Sequence, residues 1–164
     1  FVFQDFMLLD GLSVKENILI PRIIREKADK QAEDYADQLM VLFGITHIKD
    51  KYPADISGGE RQRTAVARSL INNPLLILAD EPTGNLDSKS SRAVIEAFEK
   101  AKTEMNSTIL KVTHDSFSAS FCDRVILLKD GMIYKQLDRI GSQNIFQGYL
   151  LDTIKEMSEA DQAG

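Results

Sequence analysis

The sequence is poor in several things, and each shortage sets a bound. Cys122 is its only cysteine, so an intrachain disulfide and an all-cysteine metal site are excluded. A cytosolic, reducing location fits that usage. No wholly apolar stretch is longer than Leu75 to Ala79, far below the roughly 20 residues that a transmembrane helix needs. No basic segment precedes an apolar one, so no signal peptide is expected. Basic residues do not dominate: 20 Lys and Arg face 25 Asp and Glu, for a formal net charge of −5. Whole-molecule attraction to nucleic acid is therefore not expected. Internal repeats and low-complexity segments are absent. What is present, 164 residues with 43% hydrophobic and 27% charged content, suits one soluble globular domain with a core of its own.

The pattern along the chain alternates strand and helix. Phe1-Val2-Phe3 reads as a strand already under way, as if the chain were cut into on its N-terminal side. Asp10-Gly11 is a turn. Ser13 with Glu16 forms a Ser-x-x-Glu capping box, opening a helix that either ends at Pro21 or continues past it with a kink. A second helix spans about Asp29 to Phe43, with Gly44 as C-cap. Ser57-Gly58-Gly59-Glu60 opens a third, which Asn73-Pro74 stops. Leu75 to Ala79 is continuously apolar, as for a parallel strand buried on both faces. Ser88 to Met105 is helical, Thr108 to Thr113 a second buried strand, and Asp130-Gly131 the turn of a hairpin. A last helix from about Gln143 to Met157 precedes a polar tail. Strand–helix–strand order argues for α/β.

Four places carry candidate chemistry. Asp80-Glu81 ends an apolar strand, where ligands bind in open α/β folds. Two adjacent carboxylates suit a Mg²⁺ on a nucleotide, with the second free to orient or deprotonate a water, or they are a solvated strand end with two caps. Ser57-Gly58-Gly59 brings backbone N–H groups and a hydroxyl to a helix N-terminus, which suits an anion, or is a plain N-cap completed by Glu60. His114 follows a buried strand, placed to donate to a phosphate oxygen or to cap the short helix from Ser116. Gln4 follows the first strand and could contact a metal or water. His47 reads as a solvated loop residue, and nothing suggests a zinc site.

Taken in order, Gln4, Ile56 to Arg63 (Ile-Ser-Gly-Gly-Glu-Arg-Gln-Arg), Leu76 to Thr83, Asn85-Leu86-Asp87 and Val112 to Asp115 resemble the nucleotide-binding subunit of an ATP-binding-cassette (ABC) transporter. The resemblance covers nearly the whole chain up to about Leu137. It implies that Gln4 is the Q-loop glutamine, which reaches metal or water. Ser57 to Glu60 become the signature motif, Asp80 the metal-binding end of the Walker B strand, and Glu81 the catalytic base. Asp87 falls in the D-loop and His114 is the switch histidine. The signature opens with Ile56 where leucine is usual, and Glu60 stands where glutamine is common. A Gly-x-x-x-x-Gly-Lys-Ser/Thr phosphate loop is nowhere in the 164 residues. The resemblance therefore implies a C-terminal portion of a cassette, short of roughly its first third and inactive alone.

The resemblance further implies a P-loop NTPase-like parallel sheet, incomplete here, with an inserted α-helical signature subdomain. Residues 1–4 run into the Q-loop, 5–72 form the helical subdomain, 73–140 the C-terminal part of the core, and 141–164 the last helix and tail. ATP and Mg²⁺ are the implied cofactors. The implied partners are a second ATP-binding subunit, as a homodimer, and an integral-membrane permease docked around Phe6 to Ile18, at the cytoplasmic face of the membrane. Asp5 to Asp10 with Ser13 to Ile18 resemble lipoprotein-release and macrolide-efflux ATPases. Phe117 to Val125 and Gln147 to Asp152 are more similar to bacitracin-type peptide-detoxification ATPases, which implies export of peptide antibiotics or related amphiphiles. The rival is a non-transport ABC-type ATPase of DNA repair or chromosome maintenance. Those often carry a coiled coil or zinc insertion between Q-loop and signature, and here Gln4 to Ser57 holds neither heptads nor a cysteine pair.

Overall fold

The computed structural model describes residues 1–25 and 29–159. The chain divides into two compact units, residues 1–112 and residues from Thr113 onward. The polar tail at 160–164 lies outside the described residues.

In the first unit, Ser13 caps α1 (Val14–Ile23) with the full capping box: its side chain accepts from the Glu16 amide and Glu16 returns to the Ser13 amide. Pro21 lies inside α1, so the helix continues past it. Asp29 caps α2 (Lys30–Leu42), and Gly44, at φ +66°, ends that helix in the left-handed region that suits glycine. Ser57 caps α3 (Gly58–Leu70) and Asp87 caps α4 (Ser88–Met105), which stops at left-handed Asn106. These helices bury Ile18, Leu39, Met40, Val66, Leu70, Val94 and Phe98 in one core.

The sheet of this unit pairs β1 (Leu76–Asp80) with β2 (Thr108–Val112) in parallel, Leu78 opposite Leu110. Val2 adds a one-residue parallel bridge to Ala79. Its amide donates to Leu78 O at 2.8 Å and its carbonyl accepts from Asp80 N at 2.9 Å. The expected burial on both faces is not what the strands have. Ile77 and Ala79 are buried with the helices, but Leu76 is 48%, Leu110 56% and Val112 59% exposed. Successive strand residues point to opposite faces, and the helix core covers only one of them. An apolar run does not by itself tell one covered face from two.

The second unit has its own small core. The short helix α5 (Ser116–Ala119) is followed by the antiparallel hairpin β3 (Arg124–Lys129) and β4 (Met132–Asp138), turned at left-handed Asp130 and Gly131. A register shift falls between Leu127 and Leu128. Helix α6 (Gln143–Glu159) packs Phe146 and Leu150 against Leu137.

Candidate functional site

The centre of the site is the turn from Glu81 to Asp87, between β1 and α4. Glu81 is half-buried and sits at φ 43°, a left-handed conformation that a residue with a Cβ seldom adopts. Its amide donates to Val112 O at 3.0 Å, tying the turn to the end of β2, and its carbonyl accepts from Gly84 N at 3.0 Å. Asp80 is exposed at the end of β1. The two carboxylates therefore leave the parallel pair at its carboxyl edge.

Gln4 is held against this turn. Its Nε2 donates to Asn85 Oδ1 at 3.0 Å, and Asn85 Nδ2 donates to Asp5 Oδ1 at 3.1 Å. A Cβ on Gly84 would stand 3.0 Å from Gln4 Nε2 and 3.2 Å from its Cδ, so a larger residue there would press the glutamine back by a few tenths of an ångström. Behind the turn, fully buried Gln62 donates to Phe3 O at 3.2 Å and Pro82 O at 2.7 Å. One side chain of α3 thus braces the residue before Gln4 and the residue after Glu81.

The N-terminus of α3 abuts the same turn. A Cβ on Gly58 would meet Leu86 Cδ2 at 3.1 Å, and one on Gly59 would meet Ser90 Cβ at 2.9 Å. The exposed Ser57 accepts from the Glu60 amide, while its own amide and hydroxyl donate to Glu60 Oε2 at 2.9 and 2.8 Å. The other oxygen of Glu60 meets His47 Nε2 at 3.0 Å. Burial pulls the Glu60 carboxyl pKa up, but hydrogen bonds from Ser57 and His47 and the field of His47 outweigh it, and the net shift is downward. Asp87 accepts from the Lys89 and Ser90 amides and the Ser90 hydroxyl, and the Ser90 bonds lead in lowering its pKa.

The loop after Gln4 is pinned to α3 as well. Arg68 donates to Met7 O and, at 2.8 Å, to Phe6 O, and Arg61 lies 5.3 Å over the Phe6 ring. Phe6 and Met7 are both left-handed.

The first unit therefore gathers Gln4, Asp80, Glu81, Asp87 and Ser57 to Glu60 around one turn. His114 belongs to the second unit, exposed at the bend after β2. Asp115, rather than His114, caps α5, accepting from the Phe117 and Ser118 amides at 3.0 Å each. Sequence reasoning missed Asn85, Gln62 and His47. Their partners lie 13 to 81 residues away in sequence, so no local pattern marks the contacts; Gln62 and Asn85 fall inside matched motifs, which was the one signal they carried.

Among the described residues no three His, Cys, Asp or Glu side chains cluster to hold a metal by themselves. A single exposed carboxylate such as Asp80 fits a Mg²⁺ whose other ligands are phosphates and waters.

This set of parts defines a class. The family model described as ABC transporter matches residues 1–84, and the chain belongs to that family. Among its relatives, an uncharacterized ABC transporter ATP-binding protein, YvcR of Bacillus subtilis (strain 168), is 46% identical over 94% of this chain and 60% of its own length. The bacitracin export ATP-binding protein BceA of Halalkalibacterium halodurans is 48% identical over 85% of this chain and 55% of its own. Among solved structures, a dimeric post-hydrolysis state of the ATP-binding cassette MJ0796 bound to ADP and Pi matches with a TM-score of 0.72 and 34% identity. That match covers 86% of this chain and 62% of the cassette. The chain thus spans about 60% of the length of the proteins it resembles.

Proposed function

We infer that these residues are the part of an ABC transporter's ATP-binding subunit that carries the signature, Walker B strand, D-loop and switch segment, and that they serve ATP hydrolysis coupled to export. One observation carries the reading. Gln4 and the Gly58 end of α3, far apart in sequence, both pack on the single turn 81–87 that the carboxylate pair Asp80-Glu81 opens, and Gly59 meets Ser90 just beyond it. A solvated strand end or a plain N-cap gives no reason for that convergence. The relatives are named for transport, which supports this reading over a DNA-repair or chromosome-maintenance ATPase.

In this reading ATP, with Mg²⁺, supplies the phosphoryl group whose transfer to water releases energy. Asp80 and Gln4 would hold the metal. Glu81 would accept a proton from the attacking water, and His114 would donate to a phosphate oxygen. Ser57, Gly58, Gly59 and Glu60 would face the phosphate of a second subunit's nucleotide through the helix N-terminus, with Asp87 beside that interface. Residues 5–72 would be the helical subdomain and 73–140 part of the core. Phe6 to Ile18 would meet a membrane permease at the cytoplasmic face. Peptide antibiotics or similar amphiphiles are the proposed cargo, in keeping with the name of the bacitracin export relative.

Glu81→Gln tests the central role. The 164 residues can be joined behind the phosphate-loop segment of the Halalkalibacterium relative and assayed for ATP binding and phosphate release. Binding should persist and turnover fall by about 100-fold or more, the usual weight of a general base. Turnover near that of the unsubstituted fusion would remove Glu81 from the role.

A further inference from the structure

His47 occupies a place that its sequence context does not suggest. It lies in the short turn Thr46–Ile48 and is mostly exposed, yet its Nε2 sits 3.0 Å from Oε1 of Glu60, 13 residues on. Glu60 Oε2 takes both the amide and the hydroxyl proton of Ser57. The carboxylate is therefore held from two sides, by His47 on one oxygen and Ser57 on the other. This happens at the end of α3 where backbone N–H groups favour an anion. A carboxylate there completes the cap, but it also repels an incoming anion and keeps the Ser57 proton for itself.

We propose that His47 is a positioning residue for this end of α3: it holds Glu60 Oε1 and, when protonated, offsets the carboxylate so that an anion can approach Ser57. The proposal rests on the reading that Ser57 to Gly59 face phosphate. Other charged groups surround the pair. Arg61 and Arg63 lie on the first turns of α3, and the field of Glu60 reaches Arg63. Lys49 and Asp50 follow His47 on its own loop. Asp87 and Lys89 stand at the start of α4, which touches Gly59 through Ser90, and Asp87 is engaged with Ser90. Of these groups, His47 is the one that makes a side-chain hydrogen bond to Glu60 Oε1, and imidazole is the side-chain type suited to a change of charge near neutral pH.

NMR of the 164-residue chain across the imidazole titration tests this, with His47→Gln and Glu60→Gln as variants. The Ser57 and Glu60 amides should shift with the same midpoint as the His47 ring. That component should vanish in His47→Gln while both amides keep the shifts of a capped helix. The Glu60 carboxyl midpoint should rise in His47→Gln, because the hydrogen bond and the field of His47 both hold it down. A ring that titrates while both amides stay still, or a Glu60 midpoint indifferent to His47→Gln, overturns the proposal. A mere packing role for His47 would leave the amides independent of pH. Inorganic triphosphate supplies the second arm. Its effect on the Ser57, Gly58 and Gly59 amides should be roughly two- to five-fold tighter below the imidazole midpoint than above it. Equal affinity at both pH values overturns the charge-offset role. No perturbation at either pH, with co-titration intact, refutes the phosphate-facing reading and, with it, the anion half of the proposal.

Discussion

Gly59 has a reason to be glycine before any phosphate arrives. Its missing side chain leaves room for Ser90, whose Cβ a Gly59 Cβ would approach to 2.9 Å. Gly59→Ala should therefore lower stability by about 1–3 kcal/mol through overpacking. Ser90→Gly should recover part of that, whereas Ser90→Ala, which keeps the Cβ, should not. Urea unfolding of the four proteins checks this, and an unchanged midpoint for Gly59→Ala would mean that the two helices do not meet closely. Loss of function on changing Gly59 is thus no proof of phosphate contact. Three carboxylates at helix starts, Glu16, Glu60 and Asp87, have lowered pKa values. A group whose folded pKa is depressed contributes fully above its unfolded value and loses that contribution as pH falls through the folded one. The unfolded values are 4.5 for the glutamates and 3.8 for the aspartate. Stability measured by urea titration should hold from neutral pH down to about 4.5 and then decline. A chain equally stable at pH 3 and pH 6 would contradict this. The cap residues were legible because Ser-x-x-Glu is a local pattern. His47, Gln62 and Asn85 were not, because each is defined by a partner brought close only by folding.

At the scale of elements, the helices followed from sequence nearly residue by residue. Caps and left-handed stops at Ser13, Asp29, Gly44, Ser57, Asp87 and Asn106 are short-range devices. Pro21 left two readings open, and the helix continues through it. Burial of the strands was not legible, since Leu76 and Ile77 look alike in sequence and only the placement of the helices separates them. The loop from Leu9 to Ser13 is organised by a residue that no pattern marked. Buried Asn17 accepts from Leu9 N at 2.8 Å and directs its amide at Leu9 O, Leu12 O and Ser13 O, each 3.0 Å away. Asn17→Ala strands these groups and should cost about 2–3 kcal/mol. Hydrogen exchange at Leu9 to Ser13 should accelerate in the same variant. Unchanged exchange there would mean that the loop is held by something else.

For the molecule as a whole, the motif order was readable because it is linear, whereas the convergence on turn 81–87 is a three-dimensional fact. The 164 residues carry no phosphate-loop motif. Positioning and charge do most of the work in phosphoryl transfer, so the chain alone should release no phosphate from ATP above buffer. Steady release from the purified chain would sink that expectation. In the first unit the sheet face that carries Leu76, Leu110 and Val112 is open to solvent, and apolar areas of this kind bind other apolar matter. A hydrophobic dye such as anilinonaphthalene sulfonate should gain fluorescence with the native chain, and charged residues at Leu110 and Val112 should reduce the gain. The ring of Phe6, under the Arg61 guanidinium, has an optical consequence. The sequence contains no tryptophan, so Phe6→Trp would give the chain a single indole, stacked against a cation. Its emission would report from inside the molecule, without any added label, whether the loop after Gln4 rests on α3 or has left it.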